Sequence, residues 1–159
     1  MVRRKRLADQ DLRRYLRLYK DNYKLISEAY YGDCSLHATL VPFTYDFTTE
    51  DLDYITATQI NLYLSQLTYV LVACTVEGGD HPIVPTSVSE AYFERMHAGR
   101  LFFLENFQRM RDPIWKTEPI TAEIKIEKVR RISGSFFAFL SFSINHGKCH
   151  GELKIGMKE

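Results

Sequence analysis

Cysteine is scarce in this chain of 159 residues: Cys34, Cys74 and Cys149 are an odd number at wide spacing. That excludes a disulfide scaffold, and the lack of any Cys-x-x-Cys pair excludes a readable zinc knuckle or redox motif. The three are expected to be buried free thiols. Long apolar runs are missing too. The richest stretch, Ile60 to Cys74, is interrupted by Asn61, Ser65 and Gln66, and so falls short of the roughly 18–20 residues that a membrane-spanning helix needs. The basic N-terminus is followed by no apolar stretch of a secretory signal's length, and Asp9, Asp11 and the lack of serine there do not suit a transit peptide. A cytoplasmic protein without a membrane span is expected. There is no Gly-rich phosphate loop and no Gly-x-Ser-x-Gly elbow; Ser133-Gly134-Ser135 reads as a hairpin turn. His37, His81, His97, His146 and His150 are scattered without a partner at ligand spacing, so neither a metal site nor a cofactor is expected.

What is present is an ordinary globular composition, 45% hydrophobic and 13% aromatic, with no biased tract, repeat or linker. The charges nearly cancel, 21 Lys and Arg against 20 Asp and Glu, but they are unevenly placed. The first twenty residues hold eight basic side chains (Arg3, Arg4, Lys5, Arg6, Arg13, Arg14, Arg17 and Lys20) and two acids, a balance of +6 against −5 for the remainder.

Leu7, Leu12, Tyr15, Leu16, Tyr19 and Tyr23 recur near helical spacing, which predicts an amphipathic helix over residues 8–30, stopped by Gly32-Asp33. Ser35 to Phe47 reads as the first strand, limited by Pro42. The cluster Thr48-Thr49-Glu50-Asp51 offers caps for a long helix ending near Val76, with Gly78-Gly79 as its stop. At about 100° per residue that helix separates into stripes. Ile60, Leu64, Leu67, Leu71 and Cys74 form a dry seam, flanked on one side by Gln59, Tyr63 and Gln66 and on the other by Asn61, Ser65 and Thr68. A helix polar on both sides of an apolar seam is expected to be enclosed by other elements. Candidate strands follow at Ile83–Tyr92, Leu101–Met110, Ile120–Arg131, Phe136–Asn145 and Cys149–Gly156, the last three joined by Gly-containing turns as an antiparallel meander.

This order predicts an α+β chain of the hotdog fold, an antiparallel sheet wrapped around a long central helix, with an extra N-terminal helix. Residues 1–30 read as a basic helical segment and 31–159 as a single hotdog domain. The chain also resembles the FcoT-like family of long-chain acyl-CoA thioesterases. The resemblance is carried by Gln66-Leu67-Thr68-Tyr69 in the helix, Arg109-Met110-Arg111-Asp112-Pro113 after a sheet strand, and Gly151-Glu152-Leu153 near the end. It implies an acyl-thioester hydrolase acting on a fatty or polyketide-type chain carried by CoA or acyl carrier protein. Ser65 stands where the family has an asparagine at the thioester, Thr56 matches a second asparagine at the helix start, and Gln59 matches a carboxylate. Tyr30, in Glu28-Ala29-Tyr30, matches a further family tyrosine, and Tyr45 or Tyr54 stands near the place of another in the loop before the helix. Catalytic candidates are therefore Ser65, Gln59, Thr56, Tyr30 and Tyr45, and substrate-binding candidates Tyr54, Asn61, Gln66 and Tyr69.

Hydrolysis of a thioester requires a polarised carbonyl and an activated water. A helix N-terminus serves the first need, whereas the second usually calls for a carboxylate or histidine. The helix offers only neutral groups, so a carboxylate from a partner subunit or from the Glu90, Glu94 or Glu105 region is expected to complete the site. Leu62, Val70 and Phe103 would line an acyl tunnel. Two alternatives stand beside hydrolysis: a non-catalytic acyl-thioester-binding or structural hotdog protein, and a hydroxyacyl-thioester dehydratase. The basic N-terminus suits CoA phosphates or an acidic carrier protein surface. Nucleic acid is not an expected partner, and a homodimer or higher homo-oligomer with a continuous sheet is.

Overall fold

Strand alternation in the C-terminal half sets the frame. In a computed structural model, which describes residues 4–44, 50–78 and 101–158, β5 (Ile120–Ile132), β6 (Ser135–Ile144) and β7 (Cys149–Lys158) form the expected meander. Every second residue of β6 (Phe136, Ala138, Leu140, Phe142, Ile144) is buried on one face, and Ile120, Ala122, Ile124 and Ile126 of β5 continue that face. The turn Ser133-Gly134 between Ile132 and Ser135 has positive φ at both residues (48° and 76°), the geometry whose twist matches the flanking strands. With β1 (Lys5–Arg6), β2 (Ile26–Gly32), β3 (Ser35–Leu40) and β4 (Leu101–Met110), the described strands make one antiparallel sheet in the order β1-β2-β3-β5-β6-β7-β4.

The buried face wraps α2 (Ala57–Gly78), a helix of 22 residues. Ile60, Leu67 and Leu71 have no exposed surface, and Leu64 almost none. No described helix is long and apolar enough to cross a membrane. The start of α2 differs from the expected caps. Asp51 holds the preceding loop, taking hydrogen bonds from Thr44 Oγ1 (3.0 Å) and from Lys116 Nζ, and Thr56 caps the helix. Its Oγ1 accepts from Gln59 N (3.3 Å) and its own N–H donates to Gln59 Oε1 (2.8 Å). Thr56 and Gln59 are thus a reciprocal capping box. Thr48, Thr49, Gly79 and the expected strand Ile83–Tyr92 lie outside the described residues.

The N-terminal region departs most from expectation. In place of one helix over 8–30 there is a short helix α1 (Asp9–Tyr15), a 3₁₀ turn at Asp21–Tyr23, and strand β2. Asp33-Cys34 is a hairpin turn, with φ of 52° at Asp33 and 53° at Cys34, and it returns β2 onto β3 through the Gly32–Ser35 pair. The expected apolar face is real nevertheless: Leu12, Tyr15 and Leu16 are buried against the core. From there the segment runs back along α2. At the far end of that helix the Arg14 guanidinium donates to Glu77 Oε1 (2.6 Å) and the Tyr15 hydroxyl donates to Glu77 Oε2.

Candidate functional site

The two polar flanks of α2 meet different surroundings. On the glutamine side every group is committed to backbone. Gln59 Nε2 donates to Phe43 O (2.6 Å), and the Tyr63 hydroxyl donates to Val41 O (2.8 Å). Gln66 Nε2 donates to Tyr23 O (2.6 Å) while its Oε1 accepts from Leu25 N (2.8 Å). Gln59 and Gln66 are 1% and 0% exposed. This flank is sealed by the N-terminal segment and the loop after β3.

The asparagine side is open. Thr58 and Asn61 are exposed, and Leu62 and Ser65 half-buried. Ser65 Oγ donates to Asn61 O one turn back (3.0 Å). Tyr19 meets Tyr69 edge to face, with ring centroids 6.3 Å apart. Burial pushes the Tyr19 hydroxyl up to about 12, and the Tyr69 hydroxyl up as well, so both phenols are proton donors at neutral pH rather than bases.

The facing wall is β4, an edge strand that pairs only with β7 among the described strands. Leu101, Phe103, Asn106 and Met110 stand opposite the buried β7 residues Met157, Ile155, Leu153 and Cys149, and so face the helix. Asn106 Nδ2 donates to Asn61 Oδ1 at 2.8 Å, joining the two walls. Phe103 and Met110 remain 40% exposed there. Thr68 Oγ1 and Gln108 Oε1 are buried without a hydrogen-bond partner among the described residues. The polar flank of α2 thus stands beside side chains of β4, at an edge of the sheet that is unpaired among the described strands.

The site candidates therefore separate. Asn61 and Ser65 share the open flank of α2, and Tyr69 is buried against Tyr19; Thr56 and Gln59 shape the first turn of α2; Gln66 braces the opposite flank. Ala29 and Tyr31 of β2 face the helix, Tyr31 donating to Thr75 Oγ1 (3.1 Å), so Tyr30 points to the other face of the sheet. There it donates to Glu28 Oε1 (2.9 Å) and borders a hollow of about 360 Å³ with His37, Glu123 and His146. Tyr54 bridges Trp115 in the loop before α2, the two rings edge to face at 6.4 Å. Tyr45, Glu90 and Glu94 lie outside the described residues. Val70 is fully buried in the core, whereas Leu62 is half-buried and Phe103 is 40% exposed. Glu105 points away from the helix, to Lys154 Nζ at 3.1 Å. Asn106 and Gln108 had no signal in the chain's pattern, because strict alternation along β4 places residue 106 on the outer face. Burial pushes the Cys74 and Cys149 thiols up to about 12 and about 11, which leaves them protonated and unreactive at neutral pH.

A single antiparallel sheet folded around one long helix defines a hotdog protein, and comparison with solved structures agrees. A thioesterase superfamily protein from Shewanella loihica PV-4 superposes with a TM-score of 0.53 at 11% identity, covering 89% of this chain and 96% of that one. An inactive mutant of the CurJ dehydratase, solved in complex with a compound, superposes with a TM-score of 0.50 at 12% identity; the match covers 98% of this chain and 49% of that one. At these identities the likeness establishes the fold. No family model matches the chain, and no curated protein matches it.

Proposed function

We propose that the chain is an acyl-thioester hydrolase of the FcoT-like kind, acting on a fatty or polyketide-type acyl chain presented by CoA or acyl carrier protein. The observation that carries this reading is the junction of α2 and β4, where Asn61 is held by Asn106, the half-buried Ser65 lies one turn on, and Phe103 and Met110 of the inward row of β4 remain partly exposed. An acyl thioester has the matching character, one polar carbonyl on a long apolar chain. The Asn61 amide and the Ser65 hydroxyl are the groups for the carbonyl. The capping box ties back the Gln59 N–H and leaves those of Ala57 and Thr58 at the positive end of the helix for developing negative charge. In this reading the basic side chains of residues 1–30 meet CoA phosphates or a carrier protein, and because β2 (Ile26–Gly32) crosses the expected boundary at residue 31 into the same sheet, that segment and 31–159 act as a single catalytic domain of a cytoplasmic homo-oligomer.

The test is release of free thiol from acyl-CoAs of several lengths and from acyl carrier protein. Turnover is expected to fall about 100-fold in Asn61→Ala and in Ser65→Ala, the loss typical of one carbonyl-polarising group. No turnover above background with any chain on either carrier overturns hydrolysis. A second reading, an acyl-thioester binder without catalysis, is favoured by one observation: neither the open flank of α2 nor the inward side of β4 carries a carboxylate or histidine. Calorimetric binding of acyl-CoA without thiol release would select it.

A further inference from the structure

Strand β4 contains a register shift between Phe103 and Glu105: Phe103 pairs with Ile155 and Glu105 with Lys154, leaving Leu104 as an extra residue. A bulge of this kind reverses the inward and outward sense of everything that follows it. Without it, Glu105 would share the inner face with Leu101 and Phe103, and Asn106 would point outward. With it, the carboxylate is turned out to Lys154 and the amide is turned in to Asn61. Asn106 shares the inward row with Leu101, Phe103, Gln108 and Met110, and it is the member held against the one exposed asparagine of α2.

The direction of the hydrogen bond decides what the pair can do. Asn106 Nδ2 donates and Asn61 Oδ1 accepts, so the oxygen of Asn61 is occupied and its amide hydrogens are left for another acceptor. An asparagine held this way offers donors to a ligand. Free to turn over, it would offer donor or acceptor with nearly equal ease. We infer that Asn106 is a positioning residue, which fixes Asn61 as a hydrogen-bond donor to the thioester carbonyl of the bound acyl chain. The inference rests on the proposed acyl-thioester reading and names a residue of that site which does not itself touch substrate. The bulge at Leu104 is the device that delivers it.

The experiment compares wild type with Asn106→Leu, which matches the apolar members of the inward row, and Asn106→Asp, which keeps the shape. Palmitoyl-CoA affinity is read by calorimetry and thiol release by absorbance, each across pH, with the melting temperature as a control on folding. Loss of one orienting hydrogen bond is expected to weaken palmitoyl-CoA binding or kcat/KM roughly tenfold in Asn106→Leu. Asn61→Ala/Asn106→Leu should be no worse than Asn61→Ala alone. The aspartate supplies a signature that packing cannot. Ionised, it only accepts, so it turns Asn61 around and presents its oxygen to the carbonyl; protonated below about pH 4, its O–H donates as the amide does. Asn106→Asp should therefore recover towards wild type as pH falls, relative to wild type at the same pH. Wild-type behaviour of Asn106→Leu, or a defect in Asn106→Asp that acid does not relieve, overturns the positioning role and leaves the proposed function standing. Failure of wild type itself to bind or cleave palmitoyl-CoA and palmitoyl carrier protein overturns the reading and the inference together, and is recognised because no variant is needed to see it.

Discussion

Gln66 and Ser65 are neighbours in the chain with opposite tasks. The Gln66 amide satisfies a buried carbonyl at Tyr23 and a buried N–H at Leu25, and Gln66→Leu leaves both without a partner. Orphaned buried backbone groups cost about 1–3 kcal/mol each, so Gln66→Leu is expected to lower the unfolding free energy by roughly 2–4 kcal/mol with an unchanged urea m-value. Ser65→Ala removes a hydroxyl whose helix carbonyl partner keeps its own backbone bond, and stability should change by less than about 1 kcal/mol while acyl-thioester turnover falls. A urea titration of the two variants beside a thiol-release assay separates them. An equal stability loss in both would mean that the open flank is as structural as the sealed one. The stripe projection placed both side chains on polar flanks of α2, but it could not say which flank the N-terminal segment would cover. That depends on Tyr23 and Leu25 arriving from more than forty residues away.

At the scale of elements, the central helix and the meander were legible because each carries its period over ten or more residues between clear turns. β2 was not. Ile26, Ala29 and Tyr30 fit a helical spacing, and Gly32-Asp33 serves equally as a helix stop and as the start of a hairpin; pairing with β3 decided it. The β4 bulge was invisible for a different reason: no glycine marks it, and it emerges from the register with β7. Gly151 shows how closely these two strands approach, since a Cβ at that position would stand 1.9 Å from the carbonyl oxygen of Phe107. The requirement here is space, not a left-handed backbone. Gly151→Ala is expected to push β4 off β7, costing about 1–3 kcal/mol or more as an overpacked site and opening the Asn61–Asn106 contact. Hydrogen exchange should localise the change to amides of β4 and β7. Unchanged protection of β4 would show that the strand accommodates a methyl group, and would weaken the account of the Gly151-Glu152-Leu153 pattern as structural.

Across the whole molecule, charge and apolar surface point in different directions. Two basic side chains of the N-terminus are engaged within the chain, Arg6 with Glu28 (2.9 Å) and Arg14 with Glu77 and Asp11. Burial of a thiol and of a phenol predicts an alkaline limit to stability. Cys74 rises from 9.0 to about 12 and Tyr19 from 10.0 to about 12, in each case chiefly through burial. A group whose folded pKa lies above its unfolded value contributes stability in full below the unfolded pKa and loses it as pH climbs towards the folded one. The urea midpoint should therefore hold between pH 7 and 8.5 and decline from about pH 9 upward. Cys74→Ala should decline less steeply over the same range, and a parallel decline in both would remove Cys74 as a cause. The apolar surface concentrates at the free edge of the sheet. Phe102, Phe103, Leu104, Phe107 and Met110 of β4 are 40%, 40%, 48%, 64% and 40% exposed, on a strand whose outer hydrogen-bonding side is unpaired among the described strands. An edge of this kind, long and apolar, is a site of strand addition unless something covers it. A second copy laid antiparallel along β4 would continue the sheet and cover the exposed side chains beside Asn106 at the same time, which would tie the oligomeric state to the site. Light scattering on a sizing column is expected to give a dimer or a multiple of it, and Phe107→Lys, at the most exposed of these positions, should shift the mass towards monomer and reduce acyl-thioester turnover together. A monomeric wild type, or a monomeric Phe107→Lys with full turnover, would separate the edge from the site.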